Sequence, residues 1–124
     1  MLLDSHILLW WLEDSPRLKP RVRAAIADPA SEAFVSFASV WEIAIKHQIG
    51  KLGISSDAIM QLLDDQRFTL LPFNAEDCAR VEAMPWHHGD PFDHMIIAQA
   101  MGVDAVIVTA DSVFARYDIR CLPA

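Results

Sequence analysis

Four carboxylates fall where a folded chain can bring acids together. Asp4 ends the apolar run MLLD, and Glu42 follows the run AFVSF within SVWEIAIKHQIG. Asp93 lies in DPFDHMIIAQA, and Asp111 comes two residues after AVIVT. Asp90, three residues before Asp93, stands beside them as an open case. Taken singly, each has an ordinary structural explanation. Ser39 and Glu42 have the spacing of a capping box. A carboxylate in the first turn of a helix, as expected for Asp93, favours the helix dipole. Asp111 can cap the turn DSVF. Asp4 resists such an explanation, because a carboxylate between LL and HILLWW is costly to bury unless it is paired or bound to a metal.

Taken together, the acids define a chemistry. Two like charges about 4 Å apart repel by about 4 kcal/mol at an effective dielectric near 20. A cluster of them is tenable when divalent cations neutralise it. All-oxygen ligation suits Mg2+ or Mn2+ rather than Zn2+. Carboxylate-held cations of this kind serve phosphoryl chemistry, activating a water and stabilising the leaving oxygen of an in-line displacement.

Such a cluster needs elements that deliver each acid to one edge. MLLD, EAFVSFAS, RFTLLPF and AVIVT are continuous apolar runs rather than alternating ones, and YDIRCLP reads as a last edge strand. Helical segments stand between them: Ser5 to Leu12, PRVRAAIAD opened by Pro20, SVWEIAIKHQIG ended by Gly50, SSDAIMQLLDD, a helix begun by Asn74 and Asp77, and DPFDHMIIAQAMG. In the last, Asp90 is the N-cap, Pro91 the first helical residue and Gly102 the residue past the end. Strands that alternate with helices and lack an exposed face predict an α/β three-layer sandwich with a mostly parallel central sheet. Ligands in such sheets bind at the carboxyl ends of the strands, which is where the four acids fall.

At 124 residues the chain is expected to form a single domain, 1–124. Hydrophobic residues make up 53% and charged residues 22%, which excludes intrinsic disorder. Seventeen acids against ten bases give a net charge of −7, which argues against a nucleic-acid coat protein and against an anionic-membrane binder. It leaves nucleic acid open as a substrate held through cations. Cys78 and Cys121 have no metal-ligand spacing, so a reducing, cytoplasmic location is expected. No secretory leader and no membrane-spanning run is read in the sequence.

The motifs MLLDSH, SVWEIAIKHQIGKL, HGDPFDHMIIAQA and VIVTAD, in that order, resemble the PIN-domain family, in particular the ribonuclease toxins of VapBC-type toxin–antitoxin pairs. The likeness covers nearly the whole chain, and WEIAIK and DPFDHMIIAQA are its most specific parts. It implies a Mg2+- or Mn2+-dependent endoribonuclease that cleaves RNA, with a parallel-sheet fold. Asp4 and Asp93 would be the principal metal ligands. Glu42 would complete the first site or position the water, and Asp111 would serve a second, substrate-dependent metal. Asp90 resembles an additional acid of the DPFD subgroup. Ser5 and Thr109 flank these acids and are candidates to support a ligand carboxylate. The resemblance also implies a homodimer and a small antitoxin whose C-terminal segment blocks the acids with a basic side chain. His94 departs from the pattern by standing where an arginine is often found.

Other residues read two ways. His87 and His88, with Asp90 and Asp93, could form a local site for iron or zinc. Adjacent loop histidines point in different directions, however, so a surface or substrate-facing position is expected for both. Trp10, Trp11 and Trp41 are expected in the core or a dimer contact, and Trp86 is placed either to pack or to stack on an unpaired base. Arg17 to Arg23 form the densest basic group, to be read as an RNA groove or as a solvated face. Two other function classes compete. A receiver-like phospho-acceptor domain has similar length and an acidic sheet edge, but this chain has no lysine after Lys51. A non-catalytic binding module of the same fold would have no need of all four acids.

Overall fold

The continuous apolar runs become five short strands of one parallel sheet in the computed structural model, which describes residues 1–124. β1 (Leu2–Leu3) leads into α1 (Ser5–Leu12) and α2 (Pro20–Ala27). β2 (Phe34–Ser36) leads into α3 (Phe37–Gln48) and α4 (Ser56–Asp65), and β3 (Thr69–Leu71) into α5 (Ala75–Ala83) and α6 (Pro91–Val103). β4 (Ile107–Thr109), a 3₁₀ helix (Ser112–Arg116) and β5 (Cys121–Pro123) follow. Parallel strands cannot be joined by tight hairpins, so each connection from β1 through β4 is helical and covers a face of the sheet. Leu2 and Ile107, paired in register, pack with Ile96, Ile97 and Ala100 of α6 and with Phe114. Their neighbours Leu3 and Val108 point the other way, onto Ile7 of α1 and Val22 and Ile26 of α2. Val35 joins Leu8, Ile43 of α3, and Ile59 and Leu63 of α4. The result is the expected three-layer sandwich, with a sheet that is parallel throughout.

The strand order β3-β2-β1-β4-β5 has one consequence for function. After β3 the chain runs back through α5 and α6 and adds β4 on the far side of β1. The sheet therefore reverses its direction of growth between β1 and β4, and the crevice outside their carboxyl ends is where ligands bind in such folds. A receiver-type sheet places β3 beside β1. Here β1 lies between β2 and β4, so the receiver reading does not fit the topology.

Several local expectations hold. Asn74 and Asp77 form a reciprocal capping box at α5, Asp90 caps α6 ahead of Pro91, and Gly50 takes the left-handed conformation (φ 75°). Three do not. Ser39 is not the cap of α3. The helix starts earlier, at Phe37, because the Ser36 hydroxyl accepts the Ala38 amide at 3.0 Å directly from the strand end. Glu42 therefore lies in the second turn, not the first. Gly102 is not past the end of α6 but inside it, and Asp104 takes the left-handed position instead (φ 52°). A Cβ on Gly102 would come within 2.9 Å of the Arg80 guanidinium of α5, the far end of a flexible side chain that can shift aside. β3, expected to be buried, is an edge strand with Thr69 exposed. No helix is long and apolar enough to cross a membrane.

Candidate active site

Asp4 occupies the point where the sheet reverses. Its amide still bonds across to Val108 of β4 (3.0 Å), and its carbonyl accepts the Leu8 amide to begin α1. The backbone is thus held by a strand on one side and a helix on the other, and the side chain is buried at 4% exposure. Thr109, the last residue of β4, donates its hydroxyl to Asp4 Oδ2 at 2.9 Å and accepts the Asp111 amide at 3.0 Å. One hydroxyl thereby connects Asp4 to the loop that carries Asp111. Ser5 donates to the Ser39 hydroxyl at 2.9 Å in a buried contact. That bond ties the start of α1 to α3 one turn before Glu42, and the Glu42 charge acts on Asp4.

Asp93 reaches the same place from α6. Asp90 Oδ1 accepts the amides of Phe92 (2.9 Å) and Asp93 (3.1 Å), which sets the first turn. Further along α6, Gln99 anchors the helix: it accepts from Ser36 and donates to the carbonyls of Leu71 and Pro72 at 3.0 and 3.1 Å. Burial pushes the Asp4 carboxyl above its usual range, against the Thr109 hydrogen bond, and the Glu42 charge adds to the rise. Asp93 is raised further, to about 7. Burial is the main cause, the charges of Asp90 and Asp4 add to it, and a hydrogen bond from His88 opposes it. Desolvation and like charge both disfavour the anion.

The Glu42 charge thus acts on Asp4, and the Asp90 and Asp4 charges act on Asp93. Glu42 also pairs with Lys46 at 3.2 Å, the i,i+4 ion pair. Asp90 spends one oxygen on the helix cap, and Asp111 caps the 3₁₀ helix through the Val113 amide at 3.0 Å while its side chain is exposed. No three acidic, histidine or cysteine side chains are gathered closely enough to hold a metal ion between them. The donor set nevertheless fits a hard cation. Thr109 and His88 each take one oxygen of Asp4 and of Asp93, and no other side chain bonds to the second oxygen of either. Two poorly solvated carboxylates, each with an oxygen to spare, are all-oxygen ligands of the kind Mg2+ and Mn2+ accept.

His88 is the residue sequence reasoning misplaced. Its neighbours Trp86, His87 and Gly89 are exposed, but its own ring turns inward. Nε2 lies 3.0 Å from Asp93 Oδ2 and Nδ1 lies 2.7 Å from the Tyr117 hydroxyl. No periodic pattern marks a loop residue, so only the fold reveals it. His94 is buried and bonds to the His88 carbonyl through Nε2 at 2.6 Å. In this arrangement it takes no arginine-like place toward a phosphate. Trp86 is 77% exposed, with its ring edge-on to His94 at 5.0 Å. Trp41 is half exposed against Phe92 of α6, and Trp11 packs on Phe68. In the basic group, Arg23 is committed to Asp14 (3.2 Å) and to the face of Trp11, while Arg17, Lys19 and Arg21 are exposed.

The PIN domain family model matches residues 1–120. The chain belongs to the PIN domain family. Its fold is also that of several solved structures at low identity. VapBC2 from Rickettsia felis, solved bound to a DNA fragment from its promoter, aligns over 98% of this chain and 96% of its own with a TM-score of 0.74 and 15% identity. VapBC-1 from nontypeable Haemophilus influenzae aligns over the same shares with a TM-score of 0.71 and 20% identity. FitAcB from Neisseria gonorrhoeae covers 98% of this chain and 95% of its own at 0.68 and 19%. Among curated proteins, none matches. The family match covers nearly the whole chain, including Asp4 at the reversal point of the sheet.

Proposed function

We propose that this PIN domain, residues 1–124, is a Mg2+- or Mn2+-dependent endoribonuclease and the toxin of a VapBC-type toxin–antitoxin pair. The observation that carries the reading is Asp4, buried at the reversal point of the sheet, where Thr109 bonds its carboxylate, the Glu42 charge acts on it and its own charge acts on Asp93. Asp4 and Asp93 are the principal ligands in this reading. Glu42 completes the site or orients the water, and Asp111 joins when substrate brings a second cation. Asp90 sets the first turn of α6 and adds negative charge. A cation bound there would activate a water and stabilise the leaving oxygen of an in-line displacement at phosphorus. The chain's own contribution is placement. Thr109 fixes Asp4, Ser5 holds α1 against α3, and Lys46 balances Glu42 until the substrate arrives.

The partners follow from the same reading. Toxin–antitoxin complexes named VapBC are among the proteins of similar fold, which supports a small antitoxin. A basic side chain from its C-terminal segment would neutralise Asp4 and Asp93 and so exclude cations. An apolar groove on α3 and α4, lined by Phe37, Val40, Trp41, Ala44 and Met60, supports self-association as a homodimer or a protein partner. A cytoplasmic site of action fits an RNA substrate. The test is purified protein on total RNA with Mg2+ or Mn2+, followed by mapping of new ends. Cleavage should stop on chelation and in Asp4→Asn and Asp93→Asn proteins that keep the wild-type circular dichroism spectrum. Undiminished cleavage in the folded double variant would refute the assignment, and a chain that takes up no divalent cation in calorimetry would favour a binding module.

A further inference from the structure

We propose that His88 and Tyr117 form a positioning pair that holds the Asp93 carboxylate ready for a divalent cation. The inference rests on the cation reading above and names residues that reading does not use. His88 reaches Asp93 Oδ2 through Nε2 at 3.0 Å, and its Nδ1 meets the Tyr117 hydroxyl at 2.7 Å. The partners fix the tautomer when Asp93 is ionised. A carboxylate only accepts, so Nε2 carries the proton and donates, and Nδ1 accepts from the phenol. A histidine held by a second group in this way fixes the orientation of the group it bonds.

The ring has little room to move. His88 lies edge-on to His94 at 5.0 Å and to Tyr117 at 5.5 Å. The His94 ring, itself buried, bonds to the His88 carbonyl and so pins the backbone as well as the side chain. Tyr117 is 4% exposed and follows the 3₁₀ helix that Asp111 caps. The pair thus spans from the start of α6, which carries Asp93, to the segment that follows Asp111. It mirrors the support of Asp4, where Thr109 engages one oxygen and no side chain bonds to the other. Each principal carboxylate therefore has one side chain bonded to it, Thr109 on Asp4 and His88 on Asp93. A histidine needed only to close the loop could point its Nε2 at any acceptor. This one meets Asp93 through Nε2 while its other ring nitrogen is held by Tyr117.

The experiment titrates Mn2+ into metal-free protein by calorimetry, without RNA, for wild type, His88→Ala, His88→Gln and Tyr117→Phe. His88→Ala should bind roughly 10–100-fold more weakly. His88→Gln keeps an N–H at the place of Nε2 and should recover most of the loss. Tyr117→Phe deletes one oxygen from a buried ring and should weaken binding in the same direction with little change in melting temperature. It also decides the matter alone if His88→Ala does not fold. Equal or tighter binding in folded Tyr117→Phe and His88→Ala overturns the positioning pair while leaving the cation reading intact. A wild-type chain that binds no Mn2+ overturns both.

Discussion

Asp93→Asn should make the metal-free protein more stable while abolishing its cleavage activity. The reasoning is the linkage between proton binding and folding. Asp93 has its ordinary value of 3.8 in the unfolded chain and about 7 in the fold. Between those values the folded protein binds more protons than the unfolded one. Stability from this group is therefore greatest at low pH and falls as pH rises to about 7, after which it is level. Asp4, raised for the same reason, acts in the same direction. Near pH 8 the ionised Asp93 costs the fold up to about 4 kcal/mol, from 1.36 kcal/mol per pH unit. Its side chain is only 14% exposed, so solvent screening removes little of this. Asparagine carries no charge, keeps an acceptor for His88 and gives back about 1 kcal/mol through a weaker hydrogen bond. The net gain is about 2–3 kcal/mol, which for a chain of this size is roughly 10 °C in melting temperature. Near pH 5 wild-type Asp93 is largely protonated in the fold, and the gap should shrink to about 1 kcal/mol or less. Thermal unfolding in chelator at the two pH values measures both. Saturating Mn2+ should restore wild type at pH 8, by about 2.7 kcal/mol at a hundredfold excess over Kd, and do less for the variant. Metal-free Asp93→Asn that melts below wild type at pH 8, or a gap that does not change with pH, would refute the argument.

Three further predictions concern the elements around the site. Gln99→Ala should cost about 3 kcal/mol in urea unfolding, because it opens a cavity and strands the buried partners of its amide; those partners are the Leu71 and Pro72 carbonyls and the Ser36 hydroxyl. Gly50→Ala should cost about 1 kcal/mol through the left-handed backbone that Gly50 adopts, whereas Gly102→Ala should fall within about 1 kcal/mol of wild type, since helix propensity offsets the displacement of Arg80.

The legible and illegible parts of this molecule differ in how far their causes reach along the chain. A strand such as VIV and a helix start such as Asp90-Pro91 are decided within a few residues, and composition and caps reveal them. Asp4, Asp90, Asp93 and Asp111 stand beside such boundaries, whereas Glu42 lies in the second turn of α3. Ser39 looked like a cap because its spacing to Glu42 suits one. Ser36 takes that part because it lies where β2 ends, and the Ser39 hydroxyl is drawn instead to Ser5, 34 residues away. Gly102 has the look of a helix stop, but it lies inside α6 beside Arg80 of the neighbouring helix. His88 is the extreme case. Nothing in WHHGD separates it from His87, and its partner Tyr117 lies 29 residues further on. Tyr117 comes near only because β4 crosses to the far side of β1, which also brings Thr109 onto Asp4 across 105 residues. One topological event therefore supplies both supports. This is why Thr109, which stands at a strand end beside the acids, can be read from the sequence while His88 and Tyr117 cannot: their pairing belongs to the strand order.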